Sequence, residues 1–147
     1  MKKSLILIAM AALMLMVTGC RKDEEYAYPA VYGNIVFSPS NPKVGQEVTM
    51  TAQVLDPGHR IYHADYTWKC SEFENGYKIV RKTAPDGSKT ITEAPSIKFK
   101  FTEAGTFSVS MSASFKFSMT IEGGALFGSA STKTFYVKVR ELGQVDE

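Results

Sequence analysis

Cysteine is scarce in this chain: Cys20 and Cys70 are the only two in 147 residues. A chain of this length buries a sizeable core without disulfides, so its fold does not call for a disulfide framework. Histidine is as rare, with His59 and His63 alone, and Trp68 is the single tryptophan. No glycine-rich phosphate loop, paired Cys-x-x-Cys spacing or Gly-x-Ser-x-Gly elbow occurs, which removes the sequence support for P-loop, zinc-ribbon and serine-hydrolase chemistry. A long stretch with helical spacing is missing as well. One apolar run, residues 5–17, stands out, and no second run approaches membrane-spanning length.

That run organises the start of the chain. Lys2 and Lys3 precede it, and at about a dozen residues it is too short to cross ~30 Å of hydrocarbon as a permanent helix. Its layout is that of a secretory signal peptide. It ends in Val17, Thr18, Gly19 and Cys20, an aliphatic residue, two small ones and a cysteine. This tetrad resembles the lipobox of bacterial lipoproteins. The resemblance implies diacylglycerol on the Cys20 thiol, cleavage before Cys20 and acylation of the freed amine. Removing 19 of 147 residues leaves 128 in one domain. Lys2 and Lys3 leave too, so 17 basic residues become 15 against 15 acidic ones. A neutral mature chain argues against nucleic acid as partner. The other reading of the cysteines, a Cys20–Cys70 bridge without lipid, stays open here.

Arg21, Lys22, Asp23, Glu24 and Glu25 follow the anchor. They suit a solvated spacer of mixed charge. Lys22, Asp23, Glu24 and Glu25 also resemble the export signal of surface lipoproteins of Bacteroidetes-type bacteria, which implies display on the outer face of the outer membrane. An anchor facing the periplasm is the alternative. Residues 26–32 are aromatic and interrupted by Pro29, the end of a linker turning into a first edge strand.

From there the chain shows period-two alternation broken by Gly, Pro, Asn and Asp. Strands are expected at 34–38, 47–55, 61–73, 77–82, 96–102, 106–119 and 132–140, with a short edge strand at 89–92. Val48, Met50, Ala52 and Val54 share one face of the second. Tyr62, Ala64, Tyr66, Trp68 and Cys70 share the core face of the third, with Trp68 as central anchor and Cys70 as a small hydrophobe. Ile97, Phe99 and Phe101 point inward in the fifth. Phe107, Val109, Met111, Ala113, Phe115 and Phe117 point inward in the longest strand, while Ser108, Ser110, Ser112 and Ser114 point out. Phe135, Val137 and Val139 face in at the end. Asn75-Gly76 reads as a type I′ hairpin turn, and Pro85-Asp86-Gly87 and Glu122-Gly123-Gly124 as further turns. These strands and turns indicate an all-β, two-sheet sandwich of about seven to eight strands.

The segment from Pro95 through Glu103-Ala104-Gly105-Thr106 to Met111 resembles the closing part of a PKD (polycystic kidney disease) domain: an apolar strand, a turn ending in Gly-Thr, then aromatic-x-Val-x-aliphatic. Val44-Gly45-Gln46-Glu47-Val48 resembles its second strand, and Tyr66-Thr67-Trp68 falls at its core tryptophan. The family's acidic Gly-Asp-Gly stretch after that tryptophan is replaced here by residues 69–73. The resemblance covers residues 34–140 and implies an immunoglobulin-like β-sandwich. The expected organisation is a signal peptide at 1–19, a lipidated cysteine and tether at 20–32, a PKD-like sandwich at 33–141 and a polar tail at 142–147.

Chemistry-bearing clusters are few. Asp56, His59, His63 and Asp65 lie close together, yet zinc and calcium sites need a fuller converging ligand set. The expectation is no metal, no cofactor and no catalytic residue. Leu126 and Phe127, flanked by glycine-containing sequence near a hairpin tip, form a candidate contact loop; the alternative is that they fold back over an open end of the core. The function expected is a membrane-anchored, non-catalytic binding or adhesion module for a protein or glycan. Alternatives are an accessory subunit of an outer-membrane nutrient-uptake complex and a small hydrolase.

Overall fold

The computed structural model describes residues 27–73, 76–84, 90–117 and 126–143. The leader, Val17, Thr18, Gly19, Cys20, Lys22, Asp23, Glu24 and Glu25 lie outside these, as do Asn75, the Pro85-Asp86-Gly87 and Glu122-Gly123-Gly124 turns and the tail from residue 144. The described chain forms β1 (Val31–Ser38), β2 (Glu47–Asp56), β3 (Ile61–Cys70), β4 (Tyr77–Thr83), β5 (Ser96–Lys100), β6 (Gly105–Phe117), β7 (Leu126–Ser131) and β8 (Phe135–Val139). One antiparallel sheet has the order β1-β2-β5. The other has the order β4-β3-β6-β7, with β8 also on β6. This is the two-sheet sandwich that the alternation indicates, with the immunoglobulin-like form that the PKD resemblance implies.

The two sheets bury the faces that period two assigns to them. Val48, Met50 and Ala52 of β2 meet Ala64, Tyr66, Trp68 and Cys70 of β3 and Val109 to Phe117 of β6 in one apolar core. Trp68 is fully buried. Its indole N–H has no acceptor among the described residues, so packing rather than hydrogen bonding secures the ring. Cys70 is a buried free thiol, as its place on the core face implies.

Where the strands depart from the simple pattern, the register explains why. Ile61 pairs with Phe117 but His63 with Lys116, so Tyr62 is an extra residue. This bulge turns Ile61 into the core and leaves Tyr62 half-buried, correcting its expected inward place. β1 begins at Val31 rather than 34, and Tyr28 already pairs with His59, so the end of the expected tether is docked on the sandwich. The stretch 90–92 is no strand, although Ile91 is buried. The connection after β3 is also longer than a two-residue hairpin. Lys69 pairs with Tyr77, and Gly76 N–H donates to the Phe73 carbonyl at 2.8 Å. Gly76 has φ +74°, the left-handed value that favours glycine.

β7, absent from the sequence reading, and β8 line one side of β6 in sequence. β6 meets β7 up to Ser112↔Ser131 and β8 from Val109↔Phe135. Residues 132–134 therefore face only 110–111, a bulge within one long edge. Thr132 closes it: its Oγ1 accepts the Met111 N–H at 2.9 Å, and its own N–H donates to the Met111 carbonyl at 2.8 Å. Both bonds are buried.

Thr132→Val keeps the shape but strands the buried Met111 donor, and should cost about 1–3 kcal/mol in denaturant unfolding; a loss under about 0.5 kcal/mol contradicts the role given to the hydroxyl. Burial pushes the Cys70 thiol and the Tyr32 and Tyr66 hydroxyls, which meet at 3.3 Å, above their ordinary values. The unfolded chain releases these protons first, from about pH 8.5 for cysteine and about pH 10 for tyrosine. Their contribution is complete below that range and is lost as pH rises. Stability should fall in alkali, and Cys70→Ala with Tyr32→Phe should flatten the fall; an unchanged slope contradicts it.

Candidate functional site: the outer face of the five-stranded sheet

The residues that alternate away from the core in β3, β4, β6, β7 and β8 form one continuous surface. Its rungs are set by register. Ile79, Thr67, Ser112 and Ser131 form one. Arg81, Asp65, Ser114 and Ser129 form the next, followed by Thr83, His63, Lys116 and Phe127. At the other end Tyr77 pairs with Lys69, Lys69 with Ser110, and Ser108 with Tyr136. With strands ~4.8 Å apart, the edges lie about 14 Å from each other.

The floor mixes small hydroxyl side chains with Lys69, Asp65, His63 and Lys116, and each rim carries two large apolar side chains. Tyr77 and Ile79 on β4 are 53% and 50% exposed, and Phe127 and Tyr136 on the opposite edge are 73% and 71% exposed. Four large side chains left this open on one face exceed the single exposed apolar residues that need no explanation. The floor's charges are matched in part. Arg81 Nε lies 3.2 Å from Asp65 Oδ1, His63 Nε2 lies 3.5 Å from the same oxygen, and His63 Nδ1 is 3.1 Å from Thr83 Oγ1. The face offers stacking rims and a hydrogen-bonding floor with a surplus of positive charge, Lys69, Arg81 and Lys116 against Asp65.

The structure separates the residues that the sequence puts side by side. Asp56 Oδ1 accepts the Gly58 N–H at 2.8 Å, and His59 exchanges backbone hydrogen bonds with Tyr28 and stacks on its ring at 5.9 Å. His63 and Asp65 belong to the sheet face instead. Among the described residues, no three His, Cys, Asp or Glu side chains gather as a cation site. Leu126 and Phe127 are the first residues of β7, paired with Phe117 and Lys116, not a loop. Phe127 is open to solvent, so it does not cover the core. A shallow depression of about 610 Å³ lies at the opposite end, lined by Pro39, Asn41, Lys43, Val44, Gly45, Gln46 and Leu142. Its one charged side chain is Lys43, and it gathers no set of converging polar groups.

Tyr77, Ile79 and Tyr136 escaped the sequence reading of the site. Their only signal is an apolar residue on the wet phase of an alternation: Tyr77 and Ile79 against Lys78 and Val80, Tyr136 between Phe135 and Val137. The strand order that brings them to one face is not visible in the sequence.

A family model, the PKD domain, matches residues 34–120. The chain belongs to the PKD domain family. No curated protein matches the sequence. The PKD match starts within β1 and ends past β6, and β7 and β8 complete the sheet beyond it. Membership holds although the acidic stretch after Trp68 is absent, because the strands that carry the family pattern are the core strands of this sandwich. The PKD family suggests a binding or adhesion-type module.

If the rims serve contact rather than folding, Tyr77→Ser with Tyr136→Ser should shift unfolding free energy by no more than about 0.5 kcal/mol per site. A loss above about 2 kcal/mol in denaturant titration would assign them to stability instead.

Proposed function

We propose that this PKD domain is a non-catalytic binding or adhesion module, held at the cell envelope by lipid on Cys20, and that it engages a protein or glycan through the outer face of its five-stranded sheet. The observation that carries the reading is the four exposed apolar side chains, Tyr77, Ile79, Phe127 and Tyr136, around a floor of hydroxyl and charged side chains. The near-neutral charge of the mature chain suits an uncharged or mixed-charge ligand. The lipobox-like Val17-Thr18-Gly19-Cys20 and the short basic start support the anchor, and Lys22-Asp23-Glu24-Glu25 supports surface display.

Binding by the isolated domain to glycan arrays, and crosslinking to neighbours on intact cells, should both be scored against the Tyr77→Ser, Tyr136→Ser double variant. The reading expects at least a tenfold loss of one interaction with folding intact; an interaction unaffected by the double variant moves binding away from this face. Capture of an outer-membrane transporter by the wild-type chain would favour the uptake-subunit reading. Protease added to whole cells should remove the domain, and replacing Lys22 to Glu25 by alanine should protect it. Equal accessibility of the two chains counts against the export signal.

A further inference from the structure

The chain enters the sandwich at a fixed place. Tyr28 and His59 exchange N–H···O bonds of 3.4 and 3.0 Å, and their rings stack. Ala30 is buried in the core. Gly58 is what admits this segment. Its φ is +72°, and a Cβ there would meet Ala30 N at 2.7 Å and Tyr28 O at 2.8 Å. The docked segment runs along the β2–β3 connection, and from it the chain leads back towards Cys20.

Strand directions define what else shares that end of the molecule. Asp56 closes β2 beside Val31. Ile61 opens β3 beside Phe117, Phe117 pairs with Leu126, and Phe127 follows it. Thr83 ends β4 beside His63. The other end holds residues 39–46, 71–73 and 101–104 and the end of β8. β3, ten residues long, sets the two ends about 33 Å apart.

Resting on the lipid anchor proposed above, we infer that the docked Tyr28–Ala30 segment orients the sandwich, so that the end carrying His59, Thr83 and Phe127 faces the bilayer and the end carrying Glu103, Tyr77 and Tyr136 faces away. Six residues separate Cys20 from Ala27, and the seven Cα steps between them reach at most about 25 Å. That reach is shorter than the sandwich is long, so the domain cannot turn end over end without undocking Tyr28. The partner of the near end is the lipid surface. Lys116 and Phe127, exposed and paired across β6 and β7, put a cation and an aromatic ring beside it, the side-chain types that suit a headgroup layer. For the candidate binding face, the consequence is that its Tyr77 and Tyr136 half is presented to large partners, and its Phe127 half is shielded by the membrane.

The test uses the full mature chain, purified with its lipid from cells that process it and reconstituted into phosphatidylcholine vesicles with acceptor-labelled lipid. Donor dyes are placed singly through Phe127→Cys and Glu103→Cys, and again through Thr83→Cys and Tyr77→Cys on the opposite edge, with the buried Cys70 left in place. Energy transfer to the lipid should be several-fold greater from 127 than from 103, and from 83 than from 77. Equal or reversed transfer, from protein that floats with the vesicles, overturns the orientation alone. Protein that does not float overturns the anchor and the orientation with it. Unfolding curves of the labelled chains identify any pair whose substitution disturbs the fold, and the other pair then decides.

Discussion

The antiparallel pairing of β3 with β6 holds this sandwich together. It runs from Ile61↔Phe117 to Cys70↔Val109 and places Trp68 opposite Met111 and Tyr66 opposite Ala113 on the core side. A large side chain meets a small one at Tyr66↔Ala113 and at Phe115↔Ala64, which makes room for both rings in the core. Every other element of the larger sheet is added to this pair: β4 to the free side of β3, β7 and β8 to the free side of β6. The smaller sheet closes over it through Val48, Met50, Ala52, Ile97 and Phe101.

Specialised local devices then fit the rest of the chain to that pair. The bulge at residues 132–134 lets one return strand serve the whole length of β6, and the Thr132 hydroxyl replaces the ladder bond lost there. At the far corner Glu72 accepts from both the amide and the hydroxyl of Thr102, tying the β3–β4 connection to the turn after β5. At the near end Gly58 gives up its side chain so that the incoming chain can pass. Val44 N–H donates to the Arg140 carbonyl at 2.9 Å, which fastens the start of β2 to the end of β8.

The strands buried on one face could be read directly from the chain. β2, β3, β5 and β6 have strong alternation because their two faces meet different solvents, and Trp68, Cys70 and the β6 serines stand where that pattern puts them. What could not be read depends on partners distant in sequence. β7 hides because its inward residues are Gly128 and Ala130 and its outward ones include Phe127. The Phe117 ring occupies the space over Gly128, where a Cβ would come within 2.7 Å of it. Tyr62 loses its inward place to a bulge that only the register with β6 reveals. The site fared worse than the fold. Phe127 stood out as a lone apolar residue, but Tyr77, Ile79 and Tyr136 join it only through strand order.

The face proposed for contact sets Tyr77, Ile79, Phe127 and Tyr136 at its edges and the β6 serines between them. A surface proposed for contact in this way acts by area and shape. Its usefulness rests on a sheet rigid enough to keep both rims in register, so the β3–β6 seam is the claim on which the account stands. Native-state hydrogen exchange measures that seam most directly. The account predicts that amides of Asp65, Thr67, Ser112 and Ser114, which point across the seam, exchange only through global unfolding, with the highest protection in the chain, and that amides of β4 and β5 open at lower cost. Exchange at the seam as fast as at those edge strands would contradict it.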